Sequence, residues 1–213
     1  IAVCFRLFLM IPVSPTPLFA TPLWRIKAPA PLLAALPGIA EKVHHDLNNK
    51  TINSTENRSN FLGAQSRRVY LRESPYLGDQ ERLILLKMIK SAVPLGEKYG
   101  IITWINCSPS QSHNTAHVHP GAEISGVFYI AVPRGSGNIV FRDPRPQSEM
   151  ANLQAKFGPS VLSLRPRYPV LPEPGELLLF PSWLMHQVEP GIDQAAMRIS
   201  MALNISGLAV DKS

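Results

Sequence analysis

The chain has 213 residues, 45% of them hydrophobic and 17% charged, a balance that fits one domain with a sizeable core and excludes a disordered chain. Its formal net charge is +6 and its sequence pI about 9.5. The Lys and Arg residues are nevertheless scattered, with only Arg67-Arg68 and Arg165-Pro166-Arg167 as small groups; this argues against nucleic acid, which needs a clustered basic face, and leaves a general attraction for small anions. The two cysteines, Cys4 and Cys107, show no metal-ligand spacing and no disulfide framework, so a reduced, cytoplasmic protein is the simpler reading.

In chain order, Ile1 to Leu9 is an apolar run with one Arg. It is too short to span a bilayer, lacks a small-residue cleavage site, and reads as disordered or upstream sequence ahead of Met10. Residues 10–213 read as a single domain. Residues 10–28 are Pro-rich and extended, an edge strand or strap anchored by Leu18-Phe19 and Leu23-Trp24. Residues 31–48 read as a helix interrupted at Pro37-Gly38, and Asn48 to Ser59 as a polar loop. Within that loop, Asn53-Ser-Thr and Asn57-Arg-Ser are glycosylation sequons of a kind that arises by chance. The clearest helix is 80–93, with Asp79 as N-cap; Leu83, Leu86, Ile89, Lys90 and Val93 fall near helical spacing, and Ile84, Leu85 and Met88 widen the apolar stripe. Gly96 and Gly100 close that region.

From Ile101 onward the pattern is of strands: 101–106, 124–132, 138–141, 161–164, 176–180, 186–188 and 197–205, separated by Pro or Gly turns. Short strands in this number point to a sandwich or jelly roll, a mainly β fold flanked by N-terminal helices. The loops 107–116 and 143–160 are then expected to shape the pocket.

Four features carry chemistry. His117-Val118-His119 precedes the strand from Ile124; on an extended segment its two imidazoles share one side, and neutral imidazole suits Fe, Zn, Cu and Ni. His186 opens a strand after the Phe180-Pro-Ser turn, and a jelly roll folds that strand back toward the His-x-His. Arg198 and Ser200 share one face of a strand whose other face is Ile199, Met201 and Leu203. An inward guanidinium is costly unless a carboxylate meets it, so Arg198 with Ser200 reads as a clamp for a dicarboxylate's far end. Finally, Gly126 admits close approach of backbone or ligand, and Tyr129 is placed either to bond a co-substrate or to fill the core.

With these residues in hand, the chain resembles the 2-oxoglutarate/Fe(II)-dependent oxygenases, and more narrowly an oxygenase family of bacteria and cyanophages. The resemblance rests on Trp104-Ile-Asn106, His117-Val-His119-Pro120, Ser125-Gly-Val-Phe-Tyr129, Phe141-Arg-Asp-Pro-Arg145, Phe180-Pro-Ser-Trp-Leu-Met-His186-Gln-Val188 and Arg198-Ile-Ser-Met-Ala-Leu-Asn204, about residues 101–205. It implies a double-stranded β-helix (jelly roll, cupin-like), Fe(II) bound by His117 and His186, and 2-oxoglutarate as co-substrate with its C5 carboxylate on Arg198 and Ser200. Asn106 and Tyr129 are further candidates to contact the co-substrate. The reaction implied is that of a dioxygenase: hydroxylation of an unknown small-molecule or peptide substrate, with release of succinate and CO2.

One departure stands out. The wider superfamily uses two His and one carboxylate, and this sequence has His119 where the carboxylate would stand. The third ligand is His119, or else Glu123 or Asp143. Two other readings remain at this point: a cupin-type metalloenzyme that does not use 2-oxoglutarate, with His117, His119, Glu123 and His186 as ligands, and a non-catalytic jelly-roll binding protein.

Overall fold

The structure is a computed structural model, and it describes residues 19–52, 59–150, 166–192 and 196–209. The apolar start Ile1 to Leu9, Cys4, Leu18, both sequons at Asn53 and Asn57, and the expected strand 161–164 lie outside the described residues.

The strands are β1 (Trp24–Lys27), β2 (Asn60–Phe61), β3 (Ala64–Gln65), β4 (Val69–Tyr70), β5 (Leu95–Ser108), β6 (His113–His117), β7 (Ile124–Ala131), β8 (Ile139–Arg142), β9 (Arg167–Val170), β10 (Glu176–Pro181), β11 (His186–Val188) and β12 (Arg198–Leu208). They form two antiparallel sheets. The larger runs β1-β10-β7-β12-β5-β3, with β4 also on β5; the smaller runs β2-β6-β11-β8-β9. From β5 to β12 successive strands cross between the sheets, except that β8 and β9 pair with each other in the smaller one; this is the jelly-roll arrangement.

The run Leu177–Phe180 shows why one sheet reads as continuously apolar. Leu177 and Leu179 enter the core that also holds the helices, whereas Leu178 and Phe180 enter a second core between the sheets. A strand covered on both faces has no solvent side to alternate with. Strand β12 splits by the same two-residue period: Ile199, Met201 and Leu203 join the helix-side core, leaving Arg198, Ser200 and Ala202 to face inward.

Helices α1 (Ala30–Asn48) and α2 (Asp79–Ala92) cover the larger sheet. Helix α1 runs unbroken through Pro37, against the expected interruption. Its buried stripe is Leu32, Leu36, Ile39 and Val43, while Pro37 and Gly38 sit on the exposed side. The hydrogen bond lost at Pro37 therefore costs less than the stripe gains by burial.

Helix α2 starts one residue earlier than expected: Gly78 occupies the cap position, and Asp79, already helical, pairs with Arg82 at 3.0 Å. Its buried residues are Leu85, Met88 and Ile89, and Leu83, placed in the stripe by spacing, is 52% exposed. Two further expectations need correcting. Gly96 and Gly100 do not end the helical region but lie inside β5, pressed against the end of β12 where Leu95 pairs Leu208 and Gly100 pairs Ser206. Phe19, expected as an anchor, is 88% exposed, whereas Leu23 and Trp24 pack onto the cores.

Candidate metal centre and its cavity

His117 ends β6 and His186 begins β11, and the two are direct cross-strand partners. Residues opposite each other in an antiparallel pair project from the same face, and the ring centroids stand 4.4 Å apart. His119 follows two residues later. Its backbone N–H donates to Ser182 O at 3.0 Å, and its ring centroid lies 5.0 Å from that of His117 and 5.1 Å from that of His186. One ring nitrogen from each of the three histidines lies within 4.8 Å of the other two.

The tautomers follow from the neighbours. His117 Nδ1 faces Thr115 O at 2.7 Å, and His186 Nδ1 faces Leu184 O at 2.8 Å. A carbonyl only accepts, so in both rings Nδ1 carries the proton and Nε2 keeps its lone pair for a ligand. Burial lowers the pKa of His117, pushes His119 down to about 4 and His186 down to about 3, with the neighbouring His117 imidazole adding to the last two. All three rings are thus neutral at pH 7, the form that binds metal.

In the same cavity, Arg198 is 5% exposed. Its Nη1 donates to Gly137 O at 3.1 Å and its Nη2 to Ser108 Oγ at 3.2 Å, while its buried Nε has no partner. Among the described residues no carboxylate pairs with it. A buried cation left without a counter-charge costs several kcal/mol, and this one is among the residues that line the cavity. Ser200 sits opposite Asn106 on one side and Tyr129 on the other, so the three form one inward row. Ala202, opposite Trp104 and Val127, forms the next. The cavity they line measures about 230 Å³.

The structure brings His117, His119, His186, Arg198, Ser200, Tyr129, Asn106 and Asn114 to this one cavity. It does not bring Glu123 or Asp143. Glu123 Oε2 accepts from the Leu208 amide at 2.9 Å, and Asp143 is held by Arg145 at 2.6 Å. Ser125 turns away from the cavity and donates to Asn204 Oδ1 at 2.8 Å, tying β7 to β12. At Gly126 a Cβ would come within 2.6 Å of Leu178 O, so the glycine there serves the close approach of β7 and β10. Of the loops expected to shape the pocket, 107–116 is largely strand, with Asn114 on β6 lining the cavity. The second loop begins with α3 (Gln147–Met150), and 151–160 lies outside the described residues. Arg68 and Gln65, which also line the cavity, were not singled out by sequence. The Arg67-Arg68 pair was their only signal, and it does not say which way either side chain turns.

Residues 102–204 match the family model described as "Putative 2OG-Fe(II) oxygenase". Among solved structures, the chain is similar to a Pseudomonas putida prolyl-4-hydroxylase, at 15% identity over 88% of this chain and 93% of that one, with a TM-score of 0.55. It is also similar to a Trichoplax adhaerens prolyl hydroxylase in complex with a hypoxia-inducible-factor peptide, at 11% identity over 86% and 82%, TM-score 0.57. A third is HygX of Streptomyces hygroscopicus with nickel and 2-oxoglutarate bound, at 14% identity over 88% and 83%, TM-score 0.53. At such identities the likeness is one of fold. No curated protein sequence matches the chain.

Proposed function

Since residues 102–204 match the model of the 2OG-Fe(II) oxygenase family, whose members use Fe(II) and 2-oxoglutarate, we propose that His117, His119 and His186 hold the iron and that Arg198, with Ser200, holds the far carboxylate of the co-substrate. The observation that carries this reading is the pairing, in one cavity, of three converging imidazoles with a buried guanidinium that, among the described residues, lacks a counter-charge. The donor set fits the metal, because neutral imidazole is a normal ligand for Fe(II) and two of the rings have their outer nitrogens fixed by carbonyls. The buried guanidinium lining the same cavity fits a carboxylate.

When bound, Fe(II) supplies the redox chemistry that couples oxidation and decarboxylation of 2-oxoglutarate to oxidation of the substrate. The protein's own groups bind and orient. Gly137 O and Ser108 Oγ fix the guanidinium plane, so its remaining edge is preorganised for a dicarboxylate's end. Tyr129 sits beside Ser200 on the neighbouring strand. Burial and the Glu176 charge oppose loss of its proton, which the Arg198 charge only partly offsets, so it remains a hydroxyl donor to the same carboxylate. Asn106, on the far side of Ser200, is tied to Gln65 at 2.6 Å and contributes polarity to that wall. Apolar Val127, Ile139 and Phe180 limit water around the reacting centre.

The substrate is a small molecule or a peptide that is hydroxylated. A cupin that does not use 2-oxoglutarate would leave Arg198 buried with no use for its charge, which is the observation against that alternative. The shared core of helices and larger sheet supports reading 10–213 as one domain. Among the described residues no helix is long and apolar enough to cross a membrane, and the buried free thiol of Cys107 supports a cytoplasmic setting.

The test is O2-dependent formation of succinate from 2-oxoglutarate by the Fe(II)-loaded protein, beside metal analysis. His186→Ala should bind no stoichiometric Fe(II) and form no succinate. Full succinate formation in that variant, or no divalent metal on the wild type, would sink the reading.

A further inference from the structure

Arg68 lies on the short segment between β3 and β4, and the backbone on both sides of it is pinned to β5. Ser66 N–H donates to Ile105 O at 3.0 Å, Ser66 Oγ accepts from Ile105 N at 2.9 Å, and Val69 pairs with Thr103. The guanidinium carbon sits 4.9 Å from the centre of the Trp104 ring, and that same ring is 5.9 Å from the His119 ring. Arg68 is therefore held at the mouth of the cavity, beside one of the proposed iron ligands. Stacking on an indole takes up the face of a guanidinium and leaves its N–H edge free to donate. Among the described residues Arg68 makes no ion pair and no hydrogen bond.

Charge sharpens the point. Among the described residues no Asp or Glu lines the cavity, and the three proposed ligands are neutral. Fe(II) and Arg198 together outweigh the two negative charges of 2-oxoglutarate by one, and Arg68 raises that excess to two. A site whose third ligand is a carboxylate would have one fewer positive charge. An uncompensated positive potential at the mouth of a low-dielectric cavity favours an anionic partner. The cavity, at about 230 Å³, is smaller than the roughly 300–1,000 Å³ of sites that enclose a drug-sized ligand. With the co-substrate inside, the bulk of a substrate must sit at the mouth, where Arg68 and Trp104 are.

We propose that Arg68 is a specificity-determining residue that receives a carboxylate of the substrate, its planar N–H edge on the acid and the Trp104 ring behind it, so that this enzyme acts on carboxylate-bearing substrates. The proposal rests on the oxygenase reading above. The chemistry recognised is a carboxylate, and the alternative source of one is 2-oxoglutarate itself.

The experiment is titration calorimetry on protein loaded with Mn(II) and 2-oxoglutarate. The probes are benzoate, N-acetylglycine and N-acetyl-L-leucine, each beside its primary amide. At least one acid should bind about tenfold or more tightly than its amide. In Arg68→Gln that preference should fall below about threefold, while the affinity for 2-oxoglutarate in the presence of Mn(II) changes by less than about twofold. Absence of any acid preference in the wild type overturns the proposal, as does a preference that survives Arg68→Gln. A loss of about tenfold in 2-oxoglutarate affinity in Arg68→Gln also overturns it, by assigning Arg68 to the co-substrate. If the wild type fails to bind 2-oxoglutarate with Mn(II), the oxygenase reading itself has failed and this proposal goes with it; normal 2-oxoglutarate binding without discrimination removes the proposal alone.

Discussion

Arg198 meets two fixed acceptors, Gly137 O and Ser108 Oγ, and keeps a third nitrogen unpaired. Only a planar fork does this; an ammonium presents a point charge and cannot serve both acceptors and a ligand from one position. Arg198→Lys should therefore weaken 2-oxoglutarate binding by about 2–5 kcal/mol while leaving Fe(II) stoichiometry unchanged, as read by calorimetry and metal analysis. Retention of wild-type affinity would mean that the far carboxylate is held elsewhere. Cys107 gives a prediction of the opposite kind. It is fully buried, and burial pushes its thiol up to about 12, so almost none is thiolate near neutrality. In a Cys4→Ser background, iodoacetamide at pH 8 should leave Cys107 unmodified until denaturant is added; rapid labelling of the native protein would contradict the packing of β5. At this scale the sequence disclosed which residues face the cavity, the three histidines and Arg198 with Ser200, because each stands on an extended segment where a two-residue period assigns faces. It did not disclose Arg68, whose direction is set by the hydrogen bonds between Ser66 and Ile105 and by stacking on Trp104, neither of which has a periodic signature.

At the scale of elements, burial decided most departures from expectation. The long strands and both helices were legible because each carries a sustained apolar period. Strands β2, β3 and β4, of two residues each, were not, since two residues cannot show alternation. Strand β6 was hidden for another reason: His113–His117 is almost wholly polar, and it is a strand because it pairs with β11 and β2, not through β-propensity. Helix α1 tests the balance between propensity and packing. Gly38 lies in its interior, exposed, and an added Cβ there would meet nothing within 4 Å. Gly38→Ala should raise stability by roughly 0.5–1 kcal/mol, measurable as a higher denaturant midpoint with unchanged slope. A destabilisation would show that the turn around Pro37 departs from helical geometry in solution.

Across the whole molecule, the jelly-roll crossover joins residues distant in the chain: β11 returns beside β6, so His186 meets His117, while β12 returns between β7 and β5, so Ser200 meets Tyr129 and Asn106. The two sheets thereby line one cavity from two sides, with three imidazoles from the region of the smaller sheet and Arg198 with Ser200 from the larger. Such a site carries a stability cost. Among the described residues the Arg198 guanidinium is buried without a counter-charge, which destabilises the ligand-free fold by several kcal/mol, a cost that the proposed anion would recover. Arg198→Met keeps the length and removes the charge, so the ligand-free variant should melt at or above the wild-type temperature. Adding Mn(II) and 2-oxoglutarate at about a hundred times the dissociation constant should stabilise the wild type by about 2.7 kcal/mol, a rise of roughly 5–10 °C for a chain of this size. Arg198→Met should show only the part of that rise that Mn(II) alone produces. Should the variant instead melt well below the wild type without ligand, and still gain the full increment with it, the guanidinium would be a structural strut satisfied by Gly137 and Ser108, and the clamp would have to be sought elsewhere in the cavity.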